Sequence, residues 1–215
     1  MMRISKSPQE RKAEIIEAAL ALFMEHGYEG TSVSMIVSRV GVAQGLFYYY
    51  FKSKEDVFEA AMEYYTDKLA ENVISELLAP APRCLADRFA GVISMLLGMI
   101  QDSEGPLTNG MSVREITEID MRFSYYFSQI LIEPVATLLH LLSDQCKTRL
   151  SAAPESLSSF IVFGIYGLIH GLNTLGHNTK ALDPEMLLPM LAGLIGVPVE
   201  ILLTHKISVP EEVLS

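Results

Sequence analysis

A glycine at position 41, set between two short runs of helical apolar spacing, places the first constraint on this chain. Val33, Ile36, Val37 and Val40 recur on one helix face, and Thr31 or Ser32 just ahead of them can cap that helix. Gly41 falls where the helix has to stop, and glycine takes a left-handed backbone without a Cβ penalty. Gln44 to Phe51 then fits a second helix of about two turns. Its residues, QGLFYYYF, carry no charge and are too aromatic for an ordinary surface helix. Two short helices across a tight turn are the layout of a helix-turn-helix, whose second helix enters the DNA major groove while the first crosses the backbone.

The flanking sequence predicts helices and little else. Ser7-Pro8-Gln9-Glu10 combines an N-cap, a proline at the first helical position and the acid of a capping box. That helix should run to about His26, with Ile16, Ala19, Leu20 and Phe23 on one stripe, and end at Gly27. Arg11 and Lys12 fall in its first turn, where the helix dipole disfavours cations; a nearby phosphate or a solvated surface would each account for them. A long helix from Lys54 should last to about Leu78, ended by Pro80 and Pro82. Further helices are expected over 85–101, near 107–119, and over 121–150, with Pro134 kinking or unwinding the last of these. The final pair should span 155–175 and 184–203, and the tail from Thr204 should be loosely held. The expected class is all-α with about nine helices. It divides into a helix-turn-helix domain over 1–54 and a larger helical ligand-binding and dimerisation domain over 55–215.

Residues 31–54 resemble the DNA-binding domain of the tetracycline-repressor (TetR) family. Its pattern stands here as Thr31-Ser32-Val33, Ile36-Val37, Gly41-Val42-Ala43, Gly45, Phe47-Tyr48-Tyr49-Tyr50-Phe51, Lys52-Ser53-Lys54-Glu55 and Val57. The match continues upstream to Gly27-Tyr28 and covers about the first quarter of the chain. Two positions depart from it. Val37 replaces the usual small residue after Ile, and Ala43 replaces the usual Ser before the second helix, which removes a hydroxyl from the contact set. The resemblance implies that Tyr48 and Tyr49 reach phosphate or a base methyl group, and that Lys54 contacts a phosphate. From the residues themselves, Thr31 and Ser32 at a helix N-terminus suit a phosphate, capping, or both; Ser34 points outward early in that helix. Gln44 is the best base reader, because its amide can bond bidentately to adenine. Gly45 leaves room where the helix start must approach DNA, and Phe47 and Phe51 are core.

Charge is divided along the chain. The whole chain carries −10, but residues 1–54 hold seven Lys/Arg against five Glu, a balance of +2, which leaves −12 on the remainder. An acidic body weakens non-specific attraction to phosphate and leaves more of the affinity to specific contacts. Cys84 and Cys146 lie far apart with no metal-type spacing and are expected to be buried, reduced residues. The N-terminus lacks an apolar signal core, so a cytoplasmic protein is expected. His140, His170 and His177 are not spaced as metal ligands. With no phosphate loop, nucleophile elbow or metal cluster, no catalytic residue, metal or cofactor is expected, and the chain is not expected to be an enzyme.

Two features of the body bear on partners. Residues 157–176 are nearly uncharged, but Ser158, Ser159, His170 and Asn173 argue against a membrane span. Gly164, Gly167 and Gly171 instead lie on one narrow face, flanked by Phe160, Leu168 and Leu175. The TetR resemblance implies that the last two helices pair with a second copy of the chain as a four-helix bundle, and this face would be its centre. It also implies a small-molecule pocket. Met95, Met99, Phe123, Tyr126, Phe127, Ile130, Glu133 and Thr137 are its candidate lining, and core packing accounts for the same residues. The expected partners are double-stranded operator DNA, a second copy of the chain and a small, largely apolar effector. An activator or global regulator without such an effector, and a helical interaction module, are the alternatives.

Overall fold

The structure is a computed structural model; it describes residues 7–102, 111–174 and 183–213, and their side chains except at 99–102, 113, 169–174 and 184. Nine α-helices occur among the described residues: α1 (Pro8–Gly30), α2 (Val33–Val40), α3 (Gln44–Tyr50), α4 (Lys54–Leu77), α5 (Leu85–Asp102), α6 (Val113–Cys146), α7 (Pro154–Thr174), α8 (Pro184–Ile195) and α9 (Val199–Thr204). The fold is all-α apart from a two-stranded antiparallel pair, β1 (Arg83–Cys84) with β2 (Lys206–Ile207). It forms two compact units, divided within α4 between Lys68 and Leu69 and within α6 between Phe123 and Ser124.

Local signals account for the helix limits of the first unit. Ser7 accepts a bond from the Glu10 amide at 3.2 Å while the Glu10 carboxylate accepts one from the Ser7 amide at 2.6 Å, so the expected capping box is formed. Gly27, at φ 76°, interrupts α1 before it resumes to Gly30. Ser32 caps α2 through the Met35 amide, and Gly41 ends it in the left-handed region at φ 73°. The core gathers Ile15, Ala19 and Phe23 of α1, Ile36 of α2, Phe47 of α3, then Phe51, and Val57, Phe58 and Ala61 of α4. Phe23 and Tyr28 stack within it and Phe58 stands edge-on to both, at centroid distances of 4.9–5.8 Å. The domain limit expected at residue 54 is therefore corrected: Val57, Phe58, Ala61 and Met62 complete the first core, so that unit extends into α4.

The second unit packs Val73, Ile93, Leu138, Leu139, Leu142, Leu157, Ile195 and Leu202 around one core. Three expectations are corrected. Residues near 120 do not break a helix, because Ile119 and Phe123, one turn apart on α6, both pack on the first unit's core; α6 then continues through Pro134. The last helix is split into α8 and α9 by Gly196, at φ 84°, and Pro198. A Cβ on Gly196 would also meet Ser151 at 2.9 Å. The tail from Thr204 is held rather than loose. Ile207 and Val209 are buried, and Gln145 brackets Ser208, donating to its carbonyl at 2.7 Å and accepting from its amide at 3.0 Å.

One side chain ties that tail down. Arg88 of α5 is fully buried and donates to four carbonyls, those of Leu77 (2.7 Å), Ala79 (2.9 Å), Ala81 (3.1 Å) and Ile207 (3.0 Å). The first three belong to the C-terminal end of α4 and the turn after it, where a cation complements the helix dipole. Burial lowers the Arg88 pKa from the ordinary arginine value, with the Arg83 charge adding to it.

Two stability predictions follow from these cores. Arg88→Ala strips four carbonyls of their donor, those of Leu77 and Ile207 in buried contacts, and should cost about 3–5 kcal/mol in urea denaturation. Arg88→Lys should recover only part, because an ammonium cannot reproduce the planar fork. Phe47→Ala should cost about 3–5 kcal/mol by opening a cavity in the first core, whereas Tyr49→Ala, at an exposed position, should leave the midpoint nearly unchanged.

Candidate nucleic-acid interface

The helix-turn-helix presents one face of α3 to solvent and buries the other. Phe47 is fully buried and Phe51, one turn later, nearly so, at a ring separation of 5.6 Å. Gln44, Gly45, Tyr48 and Tyr49 face outward, with Tyr48 53% and Tyr49 74% exposed. Each exposed tyrosine is braced by an inner ring: Tyr48 stands edge-on to Phe47 at 5.3 Å, and Tyr49 edge-on to Tyr50 at 4.9 Å. Ala43 occupies the N-cap of α3 and supplies no side-chain cap bond. A Cβ on Gly45 would meet nothing within 4 Å. Glycine inside a helix costs about 1 kcal/mol against alanine, so the protein's own packing gives no reason for it.

The remaining expected contacts divide. Ser32 is exposed and caps α2 through its oxygen, which leaves its hydroxyl proton available to a phosphate; Ser34 is also exposed. Thr31 is corrected. It is buried, and its hydroxyl bonds the carbonyls of Gly27 (2.8 Å) and Leu22 (3.0 Å), so it closes the end of α1 instead of facing DNA. Lys54 is corrected too. Its ammonium lies 4.1 Å above the Tyr28 ring and donates to the Tyr28 carbonyl at 2.9 Å. It thus serves the end of α1, with the Tyr28 hydroxyl bonding Glu55 at 2.8 Å beside it. Lys52 was not among the expected contacts, yet it is exposed just beyond α3; the Lys-x-Lys pattern carried the signal. Arg11 pairs with Glu14 at 2.7 Å, Lys12 lies over the Phe51 ring at 5.6 Å, and Arg39 forks onto Glu25 at 2.8 and 2.9 Å. That guanidinium holds the Glu25 carboxyl below its ordinary pKa.

The expected effector residues are not gathered into one lining. Phe123 packs into the first unit's core, which removes it from any pocket in the body, and Tyr126 and Glu133 are exposed. Met95 of α5 is partly exposed, and Phe127, Ile130 and Thr137 of α6 are half-buried. The Met99 side chain lies outside the described residues. His140 bonds Glu155 at 2.9 Å; His170 and His177 lie outside the described side chains. Among the described residues there is no group of metal-ligating side chains, and no helix is long and apolar enough to cross a membrane.

The expected pairing face is open on this chain. Gly164 and Gly167 are exposed and a Cβ on either would meet nothing within 4 Å, so among the described residues no other helix of this chain packs on them. Phe160 beside them is 71% exposed, whereas Leu168 packs partly on the body's core. Gly171 and Leu175 fall outside the described side chains. On α8, Met186, Met190 and Leu194 recur every four residues and are all exposed, Met190 by 67%. Their spacing was legible in the sequence, but α8 is apolar nearly all round, so the pattern did not say which side faces out.

Comparison with known proteins agrees with this geometry. The family model for bacterial regulatory proteins of the tetR family matches residues 15–61. Over 82% of its length, the chain is 29% identical to the HTH-type transcriptional repressor AcnR of Corynebacterium glutamicum, covering 88% of that protein. A TetR-family transcriptional regulator from Pectobacterium atrosepticum shares the fold at a TM-score of 0.63 and 18% identity, over 90% of this chain and 100% of that one. Bacillus subtilis FadR, solved in complex with stearoyl-CoA, does so at 0.52 and 18%, over 85% and 98%. With its helix-turn-helix in family register, the chain carries a tetR-family DNA-binding domain over residues 15–61 and is similar over most of its length to a named transcriptional repressor, which makes it a transcriptional regulator and not an enzyme.

Proposed function

We propose that the protein is a homodimeric repressor that holds a palindromic operator and is released by a small, largely apolar effector. The observation that carries this reading is the divided face of α3, with Phe47 buried and Gln44, Tyr48 and Tyr49 outward beside an unexplained Gly45. The N-terminal residues of the second helix are the ones that meet base edges in this motif, while Ser32, Ser34 and Lys52 are placed to hold phosphates. The similarity to a named repressor supports repression. Work on DNA places the protein in the cytoplasm.

Pairing is supported by the apolar surface of α7 and α8. Phe160, Met186, Met190 and Leu194 around Gly164 and Gly167 form the kind of exposed apolar surface that marks an association site. A second copy would cover it by two-fold symmetry. Two heads would then meet half-sites about 34–36 Å apart, or a multiple of that. For the effector, Met95 and the half-buried Phe127, Ile130 and Thr137 favour a ligand with an apolar portion. Bacillus subtilis FadR holds stearoyl-CoA on the same fold.

Gel-shift and anisotropy titrations with selected duplex DNA test the reading. Gln44→Ala should weaken binding by about 1–3 kcal/mol and relax one operator position; an unchanged site profile would refute that role. Gly45→Ala should raise thermal stability by up to about 1 kcal/mol and still weaken DNA binding. A gain in both would show that Gly45 faces nothing. Gly167→Leu, at a position where a Cβ meets no described atom within 4 Å, should convert a sedimenting dimer to folded monomer; a stable dimer would move the interface elsewhere. Long-chain acyl-CoA titrated into the operator complex should release the DNA if the effector is of that class.

A further inference from the structure

Helix α4 takes part in both cores. Val57, Phe58 and Ala61 lie in the first, Val73 and Leu77 in the second. Its last turn is secured at two points. Glu76 accepts a bond from Arg83 of β1 at 2.6 Å, and a Cβ on Gly91 of α5 would collide with that carboxylate, so glycine there makes room for the ion pair. Arg88 spans the end of the helix. Its Nη1 donates to the Leu77 and Ala79 carbonyls and its Nη2 to those of Ala81 and Ile207. One nitrogen therefore joins the turn after α4 to β2, which pairs with β1 so that Arg83 stands opposite Ile207 and Cys84 opposite Lys206.

Residues 206–209 bear on this knot by excluding water. Ile207 and Arg88 are fully buried, and Val209 is nearly so. A guanidinium bond to a carbonyl is stronger where water is shut out, and a carbonyl opened to water shares its lone pairs with it. The segment's own polar attachments include the two-residue ladder, the Arg88 bond and the two Gln145 bonds at Ser208. So short an element can open locally at a lower free energy than the whole fold.

We propose that residues 206–209 are a latch on α4. Closed, the latch seals Arg88 over the end of α4 and keeps the last turn of that helix rigid. Open, it admits water to the Leu77, Ala79 and Ala81 carbonyls and lets that turn fray. Helix α4 continues unbroken from this turn into the first core. A frayed turn has to be ordered again when the helix-turn-helix engages DNA, at a cost in conformational entropy, so opening the latch lowers operator affinity. Arg88 is the positioning residue of the device. The link to affinity rests on the DNA-reading role proposed above, whereas the latch itself can be tested without DNA.

Hydrogen exchange and operator titrations on the full chain test both parts. Ile207→Ala weakens closure without altering the first core. It should speed exchange of the amides over 75–79, leave those from Ile15 to Phe23 at native rates, and weaken operator binding about tenfold, a usual size for coupling between distant sites. Gln145→Ala, which removes both bonds at Ser208, should act in the same direction more weakly, and Ile207→Val should keep native behaviour. Lys206→Cys supplies a thiol opposite Cys84 for a cross-strand disulfide. Combined with Ile207→Ala, and once mass spectrometry shows the bond, it should restore slow exchange and tight binding, and reduction should abolish both. Native exchange over 75–79 in Ile207→Ala and Gln145→Ala would overturn the latch. Faster exchange there with unchanged operator affinity, or a formed disulfide that restores neither property, would overturn its control of DNA binding and leave the regulator reading standing. Failure of the native chain to bind any selected duplex would overturn the DNA-reading role, and the latch's control of it, while the exchange result still decides whether the latch exists.

Discussion

The burial of Phe47 and Phe51 is the interaction on which the rest of the reading surface depends. A helix of seven residues with no side-chain cap cannot sustain itself in water, because helix nucleation fixes several residues for each bond gained. Helix α3 exists because Phe47 and the C-cap residue Phe51 form the floor of the first core. Its direction is set by where those rings must go, and its outward residues inherit that direction. Tyr48 and Tyr49 are then steadied by edge contacts to Phe47 and Tyr50, so this exposed pair of aromatic side chains has given up much of its rotamer freedom before any partner arrives.

The body is stabilised by a different device. Arg88 carries its charge into the interior with no carboxylate among its hydrogen-bond partners, relying on four backbone carbonyls. A buried charge without hydrogen bonds would be prohibitive. Here the guanidinium satisfies carbonyls that the end of α4 leaves unpaired, and one of its bonds is made to a residue 119 positions away. The C-terminal segment is thereby part of the core and not an appendage. This fixes α8 and α9 in place and leaves the outer sides of α7 and α8 as the surface still available to a partner.

Much of this was legible in the sequence, and the failures have physical reasons. Caps and glycines are local, so Ser7, Ser32 and Gly41 act as read, while Gly27 interrupts α1 without ending it. Periodicity identified Phe47 and Phe51 as core. Thr31 and Lys54 were misjudged because motif position does not say which way a short polar or long flexible side chain turns. Thr31 found carbonyls left open at Gly27, and Lys54 found the face of Tyr28. The tail was misjudged because its anchor, Arg88, is remote in sequence, and a lone arginine on an apolar helix gives no sign of its partners. Phe123 fell outside the effector set because a helix shared between two cores carries one apolar stripe through both, and Phe123 and Phe127 fall on opposite sides of that division.

Electrostatics is compatible with the proposed reading of DNA by so uncharged a helix. The balance over residues 1–54 is only +2, and two of its arginines are already paired with carboxylates. Exposed pairs of this kind are worth about 0–1 kcal/mol, so a phosphate could recruit either guanidinium at small cost, but little attraction is added by doing so. The acidic remainder of the chain works against long-range capture of DNA. Binding to arbitrary sequence is therefore weak at physiological salt, since that binding is almost wholly a matter of phosphate neutralisation. Contacts made only at the correct bases are not discounted in this way. A specificity ratio rises as readily by lowering the non-specific term as by raising the specific one, and a neutral reading helix on an acidic protein lowers the non-specific term.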